Sequence, residues 1–284
     1  MSIAQSEVQC ISCGANRARA LFRGLVSCTR CGLVYFPRRL TAVEAEALYD
    51  ESYFRGAEYL DYLADRPVHE ANFRRRLTQL ARWLPAGRRL FEVGCSYGLF
   101  LNLARQHWDV AGCDIAAVPC RYAREELGLD VHCADLLDVP LRTADVDAFC
   151  LWDTIEHLGD PELYLERIAE VVRPGGLLAL TTGDIGSRLA RHQGPSWRQI
   201  HPPTHLWYFS LQTIRSTLAR FGFEVTWHRH IGISRSVSQI VYSLTSLGRE
   251  RPAPFYNACV RTGLGRLRIW TNTLDLMMIV ARRA

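Results

Sequence analysis

Between residues 88 and 182 short apolar runs alternate with amphipathic stretches. Arg89–Val93, Trp108–Asp114, Asp130–Cys133, Val146–Trp152 and Leu177–Thr181 read as strands, and the stretches between them carry the period of helices. Such alternation predicts a parallel sheet with helices on both faces. A helix over Leu211–Phe221, a strand over Phe223–His228 and a terminal apolar run, Leu274–Ala281, then extend the sheet. Residues 231–272 read mostly as amphipathic helix. Val237, Ile240, Val241, Leu244 and Leu247 fall at helical spacing, which suits core packing or a cap over a site better than a membrane-surface or partner helix.

The pattern divides the chain into a cysteine-paired module (1–37), a helical bridge or cap (38–87), a nucleotide-type core (88–230), and a helical insertion with a final strand (231–284). With 284 residues, 48% of them apolar, one large α/β domain plus a small appendage is expected. There is no uninterrupted apolar run of about 18 residues, and Met1–Ala20 lacks the charged start and apolar core of a secretory signal, so a soluble, cytoplasmic chain is expected. All 34 basic residues are arginine, and the net charge of +5 is spread along the chain. That balance permits an anionic ligand without requiring one. The densest basic stretch, Arg74–Arg76 followed by Arg82, Arg88 and Arg89, reads as a solvated helix face rather than a nucleic-acid patch.

Four of the ten cysteines form two copies of CxxCG, Cys10-Ile-Ser-Cys13-Gly14 and Cys28-Thr-Arg-Cys31-Gly32, with residues 14–27 between the inner pair. This is close to zinc-ribbon spacing. Four thiolates close a tetrahedral site and leave no position for a reacting water, so a structural zinc is expected on Cys10, Cys13, Cys28 and Cys31. The metal would offset the small core of so short a module. The other six cysteines lie in apolar segments, where burial accounts for most of them.

The string Arg89-Leu-Phe-Glu-Val-Gly-Cys-Ser-Tyr-Gly-Leu-Phe100 reads as a buried strand, a glycine turn and a helix start. Glycine suits Gly94 and Gly98 if a ligand approaches the backbone closely or the turn needs positive φ, and the following helix offers unpaired N–H groups. Asp114 ends the second strand, 20 residues after Gly94, where a carboxylate can accept hydrogen bonds from both hydroxyls of a ribose.

Taken together, these residues resemble the class I methyltransferase family. Glu92-x-Gly94-Cys-x-x-Gly98 matches its first motif, Asp114 its second and Asp135 its third, followed by Asp153-Thr-Ile-Glu-His157-Leu and Arg173-Pro-Gly-Gly-Leu177. The resemblance covers residues 88–182 and implies a Rossmann-like, seven-stranded sheet whose last strand is antiparallel. It implies S-adenosylmethionine over the C-terminal strand ends, with the methionine carboxylate near Gly94. It assigns Glu92, Gly94, Cys95, Tyr97, Gly98, Asp114, Ile115, Asp135, Leu136 and Asp153 to the cofactor. Glu92 would organise the loop or meet the methionine amine. Asp135 would meet the adenine amino group with Leu136 against the ring, a plain loop aspartate being the alternative. Paired CxxC knuckles followed by Tyr49-Asp-Glu-Ser-Tyr53-Phe54 resemble bacterial methyltransferases acting on sugars, polysaccharide intermediates and secondary metabolites.

A sulfonium methyl is already activated, so the protein must align an acceptor and exclude water, and a base helps if the acceptor is a hydroxyl. His205 is the first candidate base, then His201, then His157, whose loop-shaping role weighs equally. Two prolines between His201 and His205 argue against a helix there, so metal ligation by that pair is not expected. Tyr53, Trp152, Trp197 and Trp207 are candidates to line the acceptor pocket, with core packing the competing role. The expected activity is methyl transfer to oxygen of a metabolite, natural product or glycan precursor. Carbon methylation of an enol or enolate is the near alternative, and an RNA methyltransferase or RNA-binding factor using the ribbon is the distant one. Oligomeric state is not set by these features.

Overall fold

A computed structural model describes residues 3–5, 8–39, 62–245 and 254–284 of the chain. Four short strands, β1 (Ile3–Gln5), β2 (Arg17–Ala20), β3 (Val26–Cys28) and β4 (Val34–Tyr35), pair antiparallel in sequence order around the cysteine knuckles. The helix Arg66–Leu80 leads into the core, where β5 (Arg89–Val93), β6 (Asp109–Asp114), β7 (Asp130–Cys133), β8 (Val146–Trp152) and β9 (Val172–Gly183) run parallel.

Successive side chains on these strands point to opposite faces. Phe91, Val93, Phe149, Leu151, Leu178 and Leu180 fill one buried layer, and Leu90, Ala148, Cys150, Trp152, Leu177 and Ala179 fill the other. Burial on both faces is why these strands read as continuous apolar runs. Each fully buried Leu or Phe contributes about 1.5–3 kcal/mol relative to exposure.

The ribbon is stitched into this core. A two-residue strand after the fifth core strand, β10 (Trp207–Tyr208), pairs with β4, setting Trp207 opposite Tyr35 and Tyr208 opposite Val34. The Trp207 ring stacks on Tyr35 at 5.5 Å, and Val8, Ile11, Leu33 and Tyr35 pack in the same cluster as Phe209, Ile214, Leu218 and Phe149. Three further bonds tie the knuckles to the helix Leu211–Arg220: Ser12 Oγ donates to the Thr213 carbonyl, and Arg220 donates to the Cys10 and Ile11 carbonyls.

β11 (Phe223–His230) and the final strand, β14 (Leu276–Arg283), complete a seven-stranded sheet of order β11-β14-β9-β8-β5-β6-β7, with β14 antiparallel to both neighbours. This is the doubly wound architecture expected, including its antiparallel last strand. Residues 231–272 depart from the mostly helical expectation. They hold a two-stranded sheet, β12 (Ile233–Ser236) with β13 (Arg268–Thr271), as well as the helices Val237–Thr245 and Pro254–Arg261. All four β13 residues are exposed, so no apolar alternation marks the strand. Leu247 and Tyr53 lie outside the described residues. Among the described residues no helix is long and apolar enough to cross a membrane.

Candidate active site

β5 ends in a turn that only glycine can make at two positions. Gly94 and Gly98 have φ of +72° and +69°. A Cβ on Gly94 would sit 2.8 Å from Thr154 Oγ1, and one on Gly98 would sit 2.6 Å from Leu129 Cδ1. Asp114, at the end of β6, holds the turn closed: its Oδ2 accepts from the Ser96 N–H at 2.7 Å and its Oδ1 from the Ala116 N–H at 2.9 Å. Burial raises the Asp114 carboxyl, and these N–H groups work against that rise.

Several buried polar atoms beside the turn lack a protein partner. Among the described residues, Glu92 Oε2, Ser96 Oγ and Trp152 Nε1 have no hydrogen bond. Burial pushes the Glu92 carboxyl well above its usual range, with the Arg76 charge opposing. An orphaned carboxylate oxygen beside a glycine cradle is a fit for an amine-bearing, carboxylate-bearing ligand such as methionine.

Arg76 is the residue that sequence reading misplaced. It is only 6% exposed, not on a solvated face. Its guanidinium donates to Asp153 Oδ2 at 2.6 Å and lies over the rings of Phe73 and Trp152. Asp153 is fixed from its other side by Thr181 Oγ1 at 2.8 Å and adopts φ of +53°. Its carboxylate is therefore engaged by the protein on both oxygens. Arg88 and Arg89 are also paired, with Asp147 and Asp145.

Other expected cofactor residues separate into two groups. Ile115 exposes 53% of its surface next to Asp114, as an apolar wall for a ligand must. Asp135 caps the short turn Leu136–Asp138, accepting from the Leu137 N–H at 2.9 Å and from the Tyr164 hydroxyl. Leu136 is 1% exposed and points into the core, whereas its neighbour Leu137 is 41% exposed, so Leu137 replaces Leu136 as the ligand-facing candidate. Cys95 is buried beneath the turn, and Tyr97 is buried against Tyr62 and Tyr122.

The tryptophans are mainly structural. Trp152 packs edge-on to Phe100 under Arg76. Trp207 sits at the ribbon seam, its Nε1 donating to the Leu158 carbonyl at 2.7 Å, which corrects its placement in the acceptor pocket. Trp197 is also buried, donating to Asp275 Oδ2 at 2.8 Å, yet it borders a cleft of about 200 Å³ together with Arg198, Gln199, Arg235, Asp275 and Leu276. The pairing of Leu276 with Gly183 puts this cleft at the C-terminal end of the parallel strands.

The three histidines converge. The ring centroid of His205 lies 4.5 Å from that of His157 and 3.8 Å from that of His201. His157 Nδ1 is 2.9 Å from the Thr204 carbonyl and His205 Nδ1 is 3.1 Å from the Gln199 carbonyl. Burial pushes His157 down to about 4, and His205 well below the usual range, so both are neutral imidazoles near pH 7. Beside them Glu156 is raised to about 8 by burial and by the Asp153 charge. Glu156 was not singled out from sequence; its adjacency to His157 in the motif was the available signal.

In the ribbon, the sulfurs of Cys10, Cys13, Cys28 and Cys31 all lie within 4.8 Å of one another, with Cys10 and Cys31 at 3.4 Å and Cys13 and Cys28 at 3.6 Å. Tetrahedral Zn–S bonds of about 2.3 Å put sulfurs about 3.8 Å apart. Burial works to raise the Cys28 thiol, yet the backbone N–H groups of Cys31 and Arg30 bring it down to about 7.

A family model described as a methyltransferase domain matches residues 62–228. The chain is 32% identical over 103 residues to the ubiquinone biosynthesis O-methyltransferase of Nitrobacter winogradskyi, covering 34% of this chain and 39% of that one. It is 32% identical over 160 residues to the biotin biosynthesis bifunctional protein of Bordetella avium, covering 51% of this chain and 32% of that one. Thus the chain spans less than half of either relative. Among solved structures, a SAM-dependent methyltransferase from Thermotoga maritima superposes with a TM-score of 0.51 at 18% identity, covering 78% of this chain and 93% of that one. The cyclase SpnF superposes with a TM-score of 0.51 at 20% identity, covering 74% and 80%. These two likenesses concern the fold.

Proposed function

We infer, from a chain that belongs to the methyltransferase domain family, that it transfers a methyl group from S-adenosylmethionine to a small-molecule acceptor. The observation that carries this reading is the glycine cradle at Gly94 and Gly98 with the unpartnered Glu92 Oε2 beside it and Asp114 behind it. Glu92 would take the amine of the methionine moiety and the turn its carboxylate. The remaining acceptor capacity of the Asp114 carboxylate would serve the ribose, and Ile115 and Leu137 would flank the adenine. Bound there, S-adenosylmethionine supplies a methyl group already activated on a sulfonium.

Acceptor chemistry belongs at the histidine cluster, beside the cleft bordered by Trp197. The neutral imidazoles of His205 and His157, with His201 beside them, offer ring nitrogens that can take a hydroxyl proton, which favours oxygen as the acceptor atom. The four ribbon cysteines would hold a structural zinc with no open position.

Isothermal calorimetry tests the reading. S-adenosylmethionine should bind the intact chain, and Asp114→Ala and Glu92→Gln should each weaken it by roughly tenfold or more, the scale of one lost charge-assisted hydrogen bond. No binding to the wild-type chain would end the proposal. Methyl-labelled cofactor with an acceptor panel then reads whether label arrives on oxygen or carbon.

A further inference from the structure

Glu156 and His157 follow β8, whereas His205 precedes β10. The Leu206 N–H bonds the Glu156 carbonyl at 2.8 Å and draws the two segments together. One nitrogen of each histidine and one carboxylate oxygen of Glu156 lie within 4.8 Å of one another. A backbone carbonyl only accepts, so His157 Nδ1 and His205 Nδ1 carry the protons donated to Thr204 and Gln199, and Nε2 is the lone-pair nitrogen on each ring. Anchoring one ring nitrogen on a carbonyl is how imidazoles are oriented toward a metal on the other.

Glu156 supplies the second, independent sign. It is 3% exposed, and its Oε2 is buried with no hydrogen-bond partner among the described residues. An unmatched buried carboxylate oxygen is costly, and a cation removes that cost. Two imidazoles and a carboxylate are three protein ligands, the number found where a metal keeps a position for a reactant; the four-thiolate ribbon has none to spare.

We propose that Glu156, His157 and His205 bind a divalent first-row transition-metal cation that polarises the acceptor hydroxyl. The inference rests on acceptor activation at this cluster, and it moves His157 and His205 from taking a proton to holding the cation. The acceptor proton passes to His201, whose ring is next to His205. The oxygen electron pair forms the O–CH₃ bond, and the pair of the broken S–CH₃ bond stays on sulfur as a thioether. This is a different set from His201 with His205, which the prolines disfavour.

Cobalt(II) titration of the metal-stripped full chain tests it. Two equivalents should bind per chain: one with the intense near-ultraviolet charge transfer of thiolate ligation, the other with only weak visible bands of nitrogen and oxygen ligation. Glu156→Gln and His205→Ala should each drop the count to one while keeping the thiolate bands, which also report that the ribbon is folded. One equivalent in the wild-type chain, with thiolate bands alone, overturns the proposal even if both variants fail to fold. A second equivalent unaffected by either substitution does the same. Calorimetry with S-adenosylmethionine on the same samples separates the two readings. Cofactor binding with a single cobalt sinks the cation site alone, and two cobalts without cofactor binding sink the methyl-transfer reading alone.

Discussion

Gly98→Ala probes the glycine cradle in two separable ways. Holding alanine at φ +69° costs about 1–2 kcal/mol in the left-handed region. The new methyl meets Leu129 Cδ1 at 2.6 Å and Ala123 Cβ at 3.1 Å. Leu129 is buried and cannot swing into solvent, so overpacking adds about 1–3 kcal/mol. The expected total is about 2–5 kcal/mol, and the fall in melting temperature is on the order of 10 °C. Leu129→Ala removes the clash without changing the backbone. On its own it costs about 2–5 kcal/mol as a cavity. Combined with Gly98→Ala it should recover only the steric part, a coupling of about 1–3 kcal/mol. Urea unfolding of the four proteins by circular dichroism measures each corner of the cycle. A single Gly98→Ala variant within about 0.5 kcal/mol of wild type, or a cycle with no coupling, would refute the reasoning.

Two further outcomes follow from the same structure. His69 stacks on Tyr62 at 4.0 Å, and burial, aided by the Arg76 charge, pushes it from 6.5 to about 4. Its folded pKa is below its unfolded one, so its contribution is present above pH 6.5 and is lost as pH falls toward 4, by on the order of 3 kcal/mol. Urea midpoints between pH 7 and 4.5 should fall less steeply for His69→Gln, and an unchanged slope would count against the assignment. Chelating the zinc proposed for the ribbon should lower the melting temperature of the whole chain in one transition, because Val8, Ile11, Leu33 and Tyr35 share a cluster with Phe149. Scanning calorimetry with two transitions, the upper one unmoved, would contradict that coupling.

The core strands were legible because burial on both faces leaves an unbroken apolar run, as in Phe149–Trp152. Gly94, Gly98 and Asp114 were legible because turn chemistry is local. Arg76 was not, although Phe73, Arg76, Leu77 and Leu80 share one helix face by their spacing; two neighbouring arginines made it look solvated. The exposure of Leu137 rather than Leu136 was not legible, because a three-residue turn has no period to say which side chain points inward. The approach of His157 to His205 joins distant segments through the Leu206 bond to Glu156, and no spacing rule encodes it. β13 escaped notice because an exposed strand carries no hydrophobic alternation.

The pairing of β10 with β4 sets an order on biosynthesis. The cysteine ribbon leaves the ribosome before the core strands do, but the outer edge of β4 stays open until Trp207 and Tyr208 have been made. Throughout that interval Val34 and Tyr35 present an unpaired apolar edge, the kind of surface that recruits other nascent chains. Any product stopped before residue 207 inherits this open edge permanently, so premature termination yields a chain prone to association, and the N-terminal segment is finished only by a strand from beyond the fifth core strand.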